Sequence, residues 1–136
     1  MFKLLLVFVG GGIGSVLRYG VGLGIARLTP PAAETPHWLS MYPVATLLVN
    51  LAGCGLIGLA WGLMDRADGS NGAVAVLLVV GVLGGFTTFS AFGWETLELM
   101  NSGRIGTAAA YALISVCVGV LMAWSGHALG MSLSGA

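Results

Sequence analysis

The stretch "GGFTTFSAF", residues 84–92, places two glycines, two threonines and three phenylalanines inside an apolar run that would ordinarily continue in Leu, Val and Ile. Gly84 and Gly85 permit an unwound backbone, and the hydroxyls of Thr87 and Thr88 can cap the groups so freed. In hydrocarbon such a backbone is costly unless protein or a bound ion satisfies it. Carbonyls exposed there would form a hard-oxygen cation site, as in discontinuous transporter helices. Two copies meeting at that point would double the oxygens without any carboxylate. The plainer alternative is a kink or a close-packing site. Phe89 and Phe92 are three apart and share a helical face, with Ser90 beside it. Aromatic rings are electropositive at the edge, so these two can line an anion path without trapping the ion as an arginine would. A packing cluster is the other reading.

Three further sets of residues could contribute. On the second run Thr46 and Asn50 are four apart, and Asn50 lies about 12 Å along the helix from Tyr42, near the membrane midplane. An amide at that depth either joins helices or contacts a polar permeant. On the fourth run Tyr111 and Ser115 repeat the spacing and offer a hydroxyl track. Arg18, the basic residue well inside a span, either snorkels to the interface or faces a water-filled vestibule and concentrates anions. Glu95 and Glu98 fall in the last turns of the third run, where interfacial exposure is the simple expectation.

The elements that carry these residues are membrane helices. The 136-residue chain is 57% hydrophobic and 7% charged, with a mean hydropathy of +0.99, outside the range of an ordinary soluble domain. Four apolar runs, approximately residues 2–28, 42–63, 73–99 and 105–129, each reach the roughly 20 residues a spanning helix requires. They form a single all-α transmembrane domain with short polar connections, so any chemistry lies among the helices. The first run is too long for a signal peptide and no A-x-A site follows it, which makes it a first span. Trp38, Tyr42, Trp61 and Trp124 fit interfacial belts, and Asp65, Arg66 and Asp68 are loop charges. Cys54 and Cys117 lie within spans at no metal-binding spacing and read as small packing residues. Most of the 23 glycines are inside the runs. Gly10-x-x-x-Gly14 and Gly58-x-x-x-Gly62 have the spacing that brings helix backbones close. Helices with so little bulk enclose no pathway alone, which predicts a homo-oligomer.

Charge placement predicts its symmetry. With four spans, Lys3 and Arg66 fall on one side and Arg27 and Arg104 on the other, so the positive-inside bias is nil. Such a chain inserts in both orientations, and opposite copies can pair about an axis in the membrane plane. The alternative is an orientation fixed by a partner or by finer charge differences.

Three motifs in order resemble those of the Fluc fluoride channels, also called CrcB proteins: "GGIGSVLRY" at 11–19, "TLLVNLAG" at 46–53 and "GVLGGFTTFSAF" at 81–92. The resemblance covers nearly the whole chain. It implies an antiparallel, dual-topology homodimer in the cell (inner) membrane, with two fluoride pores and one structural sodium ion held by main-chain oxygens at the third-helix breaks. Matched by position, the sodium carbonyls are those of Gly84 and Thr87, and the pore phenylalanines are Phe89 and Phe92. The same matching puts pore polar groups at Asn50, Ser90 and Thr46, and the fourth-helix hydroxyls at Tyr111 and Ser115. Arg18 is the arginine of the first motif and Glu95 the acidic residue after the phenylalanines. Two positions depart from the family pattern. Ala91 stands where the family usually has threonine, and Gly119 ends the hydroxyl track one turn after Ser115.

The implied activity is passive fluoride efflux, and neither an enzyme nor a nucleic-acid partner is expected. A potential negative inside drives an anion outward with about 2.3 kcal/mol per 100 mV, on the order of fifty-fold in concentration. A small proton-coupled multidrug exporter is the competing four-helix, dual-topology reading. It requires a membrane-embedded carboxylate, generally in the first helix, and residues 2–28 contain none. A non-conducting accessory subunit would explain the glycines but neither "GGFTTFS" nor Asn50.

Overall fold

The computed structural model describes residues 1–28, 43–64 and 72–135, and the regular elements among them are all helices. Helix α1 is Phe2–Leu28, α2 is Val44–Met64, α4 is Phe89–Asn101 and α5 is Ile105–Leu133. Between α2 and α4, helix α3 covers residues 73–86. Its middle, Val76–Leu83, is wound as a π-helix, a wider coil that often accompanies functional sites. Together α3 and α4 form one span, Ala73–Asn101, so among the described residues four helical segments are long and apolar enough to cross a membrane. Trp38, Tyr42, Asp65, Arg66 and Asp68 lie outside the described residues.

Two pairs of helices meet backbone to backbone. A methyl group added at Gly58 would run into the Ala123 carbonyl, and one at Gly126 into that of Gly55. One at Gly130 would lie 2.6 Å from the Leu59 carbonyl oxygen. These contacts join α2 to α5 along much of their length. The same device joins α1 to α3: a methyl at Gly10 would lie 2.7 Å from the Leu77 carbonyl oxygen, and one at Gly85 would strike that of Gly11. Gly81-x-x-x-Gly85 and Gly126-x-x-x-Gly130 are therefore the counterparts of the glycine pairs on α1 and α2. Without a hydrophobic driving force between helices in lipid, this close approach and its dispersion contacts hold the pairs together.

The third span changes neighbours at its break. Up to Phe86 it lies along α1; beyond the break α4 packs on α5, where Leu99, Ala108 and Tyr111 form a buried cluster covered by Leu47 and Phe92. The unwound residues are Thr87 (φ −80°, ψ 159°) and Thr88 (φ −150°, ψ 109°), both in extended conformation. Gly84, with φ −64° and ψ −37°, stays helical, as does Gly85. This corrects the expectation that the glycines themselves unwind. Gly85 is required by the approach of α1, whereas β-branched threonine accepts an extended backbone readily.

These contacts predict a contrast between glycines. Gly58→Ala should destabilise the protein by about 1–3 kcal/mol, the usual cost of overpacking, because a backbone carbonyl has nowhere to retreat. Gly20→Ala, with nothing near the added methyl, should change stability by less than about 0.5 kcal/mol. Thermal unfolding of the two variants in detergent measures the difference.

Candidate functional site

A break in mid-span frees peptide groups that water cannot reach, and several of them here find partners on other elements. Asn50 supplies two. Its Oδ1 accepts from the Thr88 N–H at 2.8 Å, and its Nδ2 donates to the Thr88 carbonyl at 3.1 Å. One side-chain amide thus replaces both helical partners of one residue. Arg18 Nε donates to the Gly85 carbonyl at 3.2 Å. The Leu83 carbonyl accepts from both the N–H and the hydroxyl of Thr87, each at 3.0 Å. The Thr88 hydroxyl accepts from the Ala91 N–H at 3.2 Å and caps α4.

This arrangement diverts the donors that a continuous helix would give to Gly84 and Thr87. In an α-helix the Gly84 carbonyl takes the Thr88 N–H and the Thr87 carbonyl takes the Ala91 N–H. Here the first goes to Asn50 and the second to the Thr88 hydroxyl. Gly84 and Thr87 both line a groove of about 330 Å³ that opens on the outside of the single chain. Neutral carbonyl oxygens on two lining residues of such a groove suit a monovalent hard cation such as sodium. Among the described residues no cluster of three or more His, Cys, Asp or Glu could hold a metal instead.

Asn50, Phe89, Phe92 and Ser115 line the same groove, together with Cys54 and Val79. The rings of Phe89 and Phe92 stand 5.5 Å apart, tilted by 43°, and Phe92 lies 5.1 Å from Tyr111 at 52°. Phe92 is half-buried, but Phe89 is 83% exposed, an unusual position for a phenylalanine beside polar groups. Ser90 is exposed next to the break, its hydroxyl 3.3 Å from that of Thr88.

Thr46 and Tyr111 are placed elsewhere. The Thr46 hydroxyl donates to Glu95 Oε1 at 2.6 Å, and the Tyr111 hydroxyl donates to Glu95 Oε2 at 2.8 Å. Tyr111 has no exposed surface at all. The four-residue pairs therefore divide by level: Asn50 and Ser115 at the groove, Thr46 and Tyr111 at the carboxylate two turns along α4. Glu95 departs from simple interfacial exposure. It is half-buried, with each oxygen held by a hydroxyl from a different helix, while Glu98 is exposed. Arg18 is likewise half-buried, with its Nε bonded at the break. The sequence reading treated Cys54 as packing only, although it lies one turn after Asn50 and so shares its face.

A family model described as "CrcB-like protein, Camphor Resistance (CrcB)" matches residues 5–127. The chain is 40% identical over 129 residues to the fluoride-specific ion channel FluC of Methylobacillus flagellatus, covering 95% of this chain and 94% of that protein. It is 41% identical over 133 residues to the protein of that name from Agrobacterium fabrum, covering 98% and 99%. A third, from Thermus thermophilus, is 41% identical over 134 residues, covering 98% and 97%. With the match running through all four spans and the break, the chain belongs to the CrcB-like family.

Proposed function

We propose that this multi-pass cell-membrane protein is a fluoride-specific channel, formed by two copies inserted in opposite orientations around a central sodium ion. The observation that carries the reading is the groove itself, where Asn50, Phe89, Phe92 and Ser115 adjoin the diverted carbonyls of Gly84 and Thr87. The similarity to fluoride-specific channels along nearly the whole chain supports the choice of ion.

Each residue has a physical task in this reading. Fluoride sheds water reluctantly, so a narrow path must replace that water with donors and then release the ion. Asn50 uses one amide hydrogen on Thr88 and carries a second that can point into the groove. The hydroxyls of Ser90 and Ser115 are further donors, and the positive end of α4 begins at Phe89. The edges of Phe89 and Phe92 carry the ion between these points. Thr46 and Tyr111 act through Glu95, whose fixed carboxylate positions the Tyr111 ring against Phe92. The Gly84 and Thr87 carbonyls would hold sodium, which would supply positive charge beside the break.

A second copy is supported by the single chain's exposed Phe89 and by the exposure of Gly84, which lines the groove. The balance of Lys3 and Arg66 against Arg27 and Arg104 supports opposite insertion. Transport is passive: α1 holds no carboxylate for proton coupling, and both oxygens of Glu95 are occupied by hydroxyls.

Purified protein in liposomes should release fluoride, with chloride excluded by orders of magnitude. A fluoride electrode measures this directly, and equal chloride flux or a demand for a proton gradient would remove the channel reading. Phe89→Ile and Phe92→Ile should each lower the flux at least tenfold while dimers persist on size exclusion; normal conduction by both would make the rings packing residues. Terminal cysteines should be labelled from both sides of the membrane in the active wild type. Labelling from one side alone would exclude the antiparallel pair.

A further inference from the structure

We infer that Asn50 is the positioning residue of the break: by binding both peptide groups of Thr88 it holds the Gly84 and Thr87 carbonyls ready for the cation, and so couples the sodium site to the fluoride path. The inference rests on the proposed channel and deepens it, because it gives Asn50 a task separate from donating to fluoride.

Three observations converge on it. First, Asn50 lies on α2, which is otherwise joined to α5 by its glycines, so the clamp ties the break to the other helix pair. Second, the clamp takes up the Thr88 N–H, the donor that a continuous helix would direct at the Gly84 carbonyl. If Asn50 released it, the segment could rewind and consume that oxygen. Third, neighbouring carbonyls are already engaged: Arg18 occupies that of Gly85, Thr87 that of Leu83, and Asn50 that of Thr88. The carbonyls of Gly84 and Thr87, two residues that line the groove, are not among those engaged. A methyl at Gly53 would strike the Thr87 side chain, so α2 also fixes that residue's position one turn from Asn50.

The coupling follows from the two hydrogens on Nδ2. One is committed to the Thr88 carbonyl, and this sets the direction of the other. An ordered break therefore orients the fluoride donor, and a loosened break misdirects it.

Sodium binding separates this role from a purely anionic one. Purified wild-type dimer would be equilibrated with radioactive sodium by dialysis and compared with Asn50→Leu, which has similar bulk and neither hydrogen-bonding group. The sodium concentration for half-saturation should rise roughly tenfold or more, the scale of two lost hydrogen bonds. In Asn50→Asp at a pH that keeps the carboxyl protonated, a C=O accepts and an O–H donates, so half-saturation should stay near the wild-type value. If Asn50→Leu yields no folded dimer, Asn50→Ser, with one short hydroxyl in place of the amide, replaces it. Wild-type sodium affinity in the Leu or Ser variant, or weak binding by the protonated Asp variant, would overturn the inference while leaving the channel intact. A wild-type protein that conducts fluoride but binds no sodium would remove the cation site, and this inference with it.

Discussion

Peptide groups in hydrocarbon must find partners inside the protein, and a helix cut at its middle can persist only where other elements supply them. The pairing of Asn50 with the backbone of Thr88 meets that requirement here. Without it, two strong hydrogen-bonding groups would be left in the interior, at a cost of about 1–3 kcal/mol each. Continuing the helix would avoid the cost, and the break would close. The bend of the third span, the groove beside it and the position of Phe89 all follow from keeping the break open.

For Asn50 and Arg18 to reach the break, the helices must lie very close. The glycines provide this, since contacts such as those of Gly58 with Ala123 and of Gly85 with Gly11 leave no room for a side chain. The packing has a second consequence. Bulk is moved to the outside, where phenylalanines, leucines and tryptophans remain exposed on the single chain. Most of that surface suits acyl chains. The groove differs, because Asn50, Thr87, Thr88 and Ser115 stand within its otherwise largely apolar lining. The proposed second copy resolves this mismatch by covering a face that lipid would solvate poorly.

In the proposed pathway, charge is kept at a distance from the ion's route. The Arg18 guanidinium is turned to a carbonyl, and the Glu95 carboxylate is enclosed by the hydroxyls of Thr46 and Tyr111. The groove is then lined by neutral polar side chains and by Phe89 and Phe92. Full charges hold a small anion tightly, whereas dipoles bind it weakly enough to let it go. Glu95 also explains why the Tyr111 hydroxyl is satisfied in a fully buried position, with its ring left to support Phe92.

Much of this was legible in the residues alone. Spans of about 20 apolar residues, the glycine spacings and the interruption at 84–92 are local patterns, and local patterns determine which segments cross a membrane and where one is weak. The three motifs likewise pointed to the family. The tertiary structure decided the rest, because the relevant partners are distant in the chain: Asn50 and Thr88 are 38 residues apart, Thr46 and Glu95 49, and Arg18 and Gly85 67. No periodicity within one helix reveals such pairs. For the same reason the unwinding falls on Thr87 and Thr88 rather than on the more flexible glycines. Glycine permits either conformation, and Gly85 stays helical where α1 comes too close for a side chain.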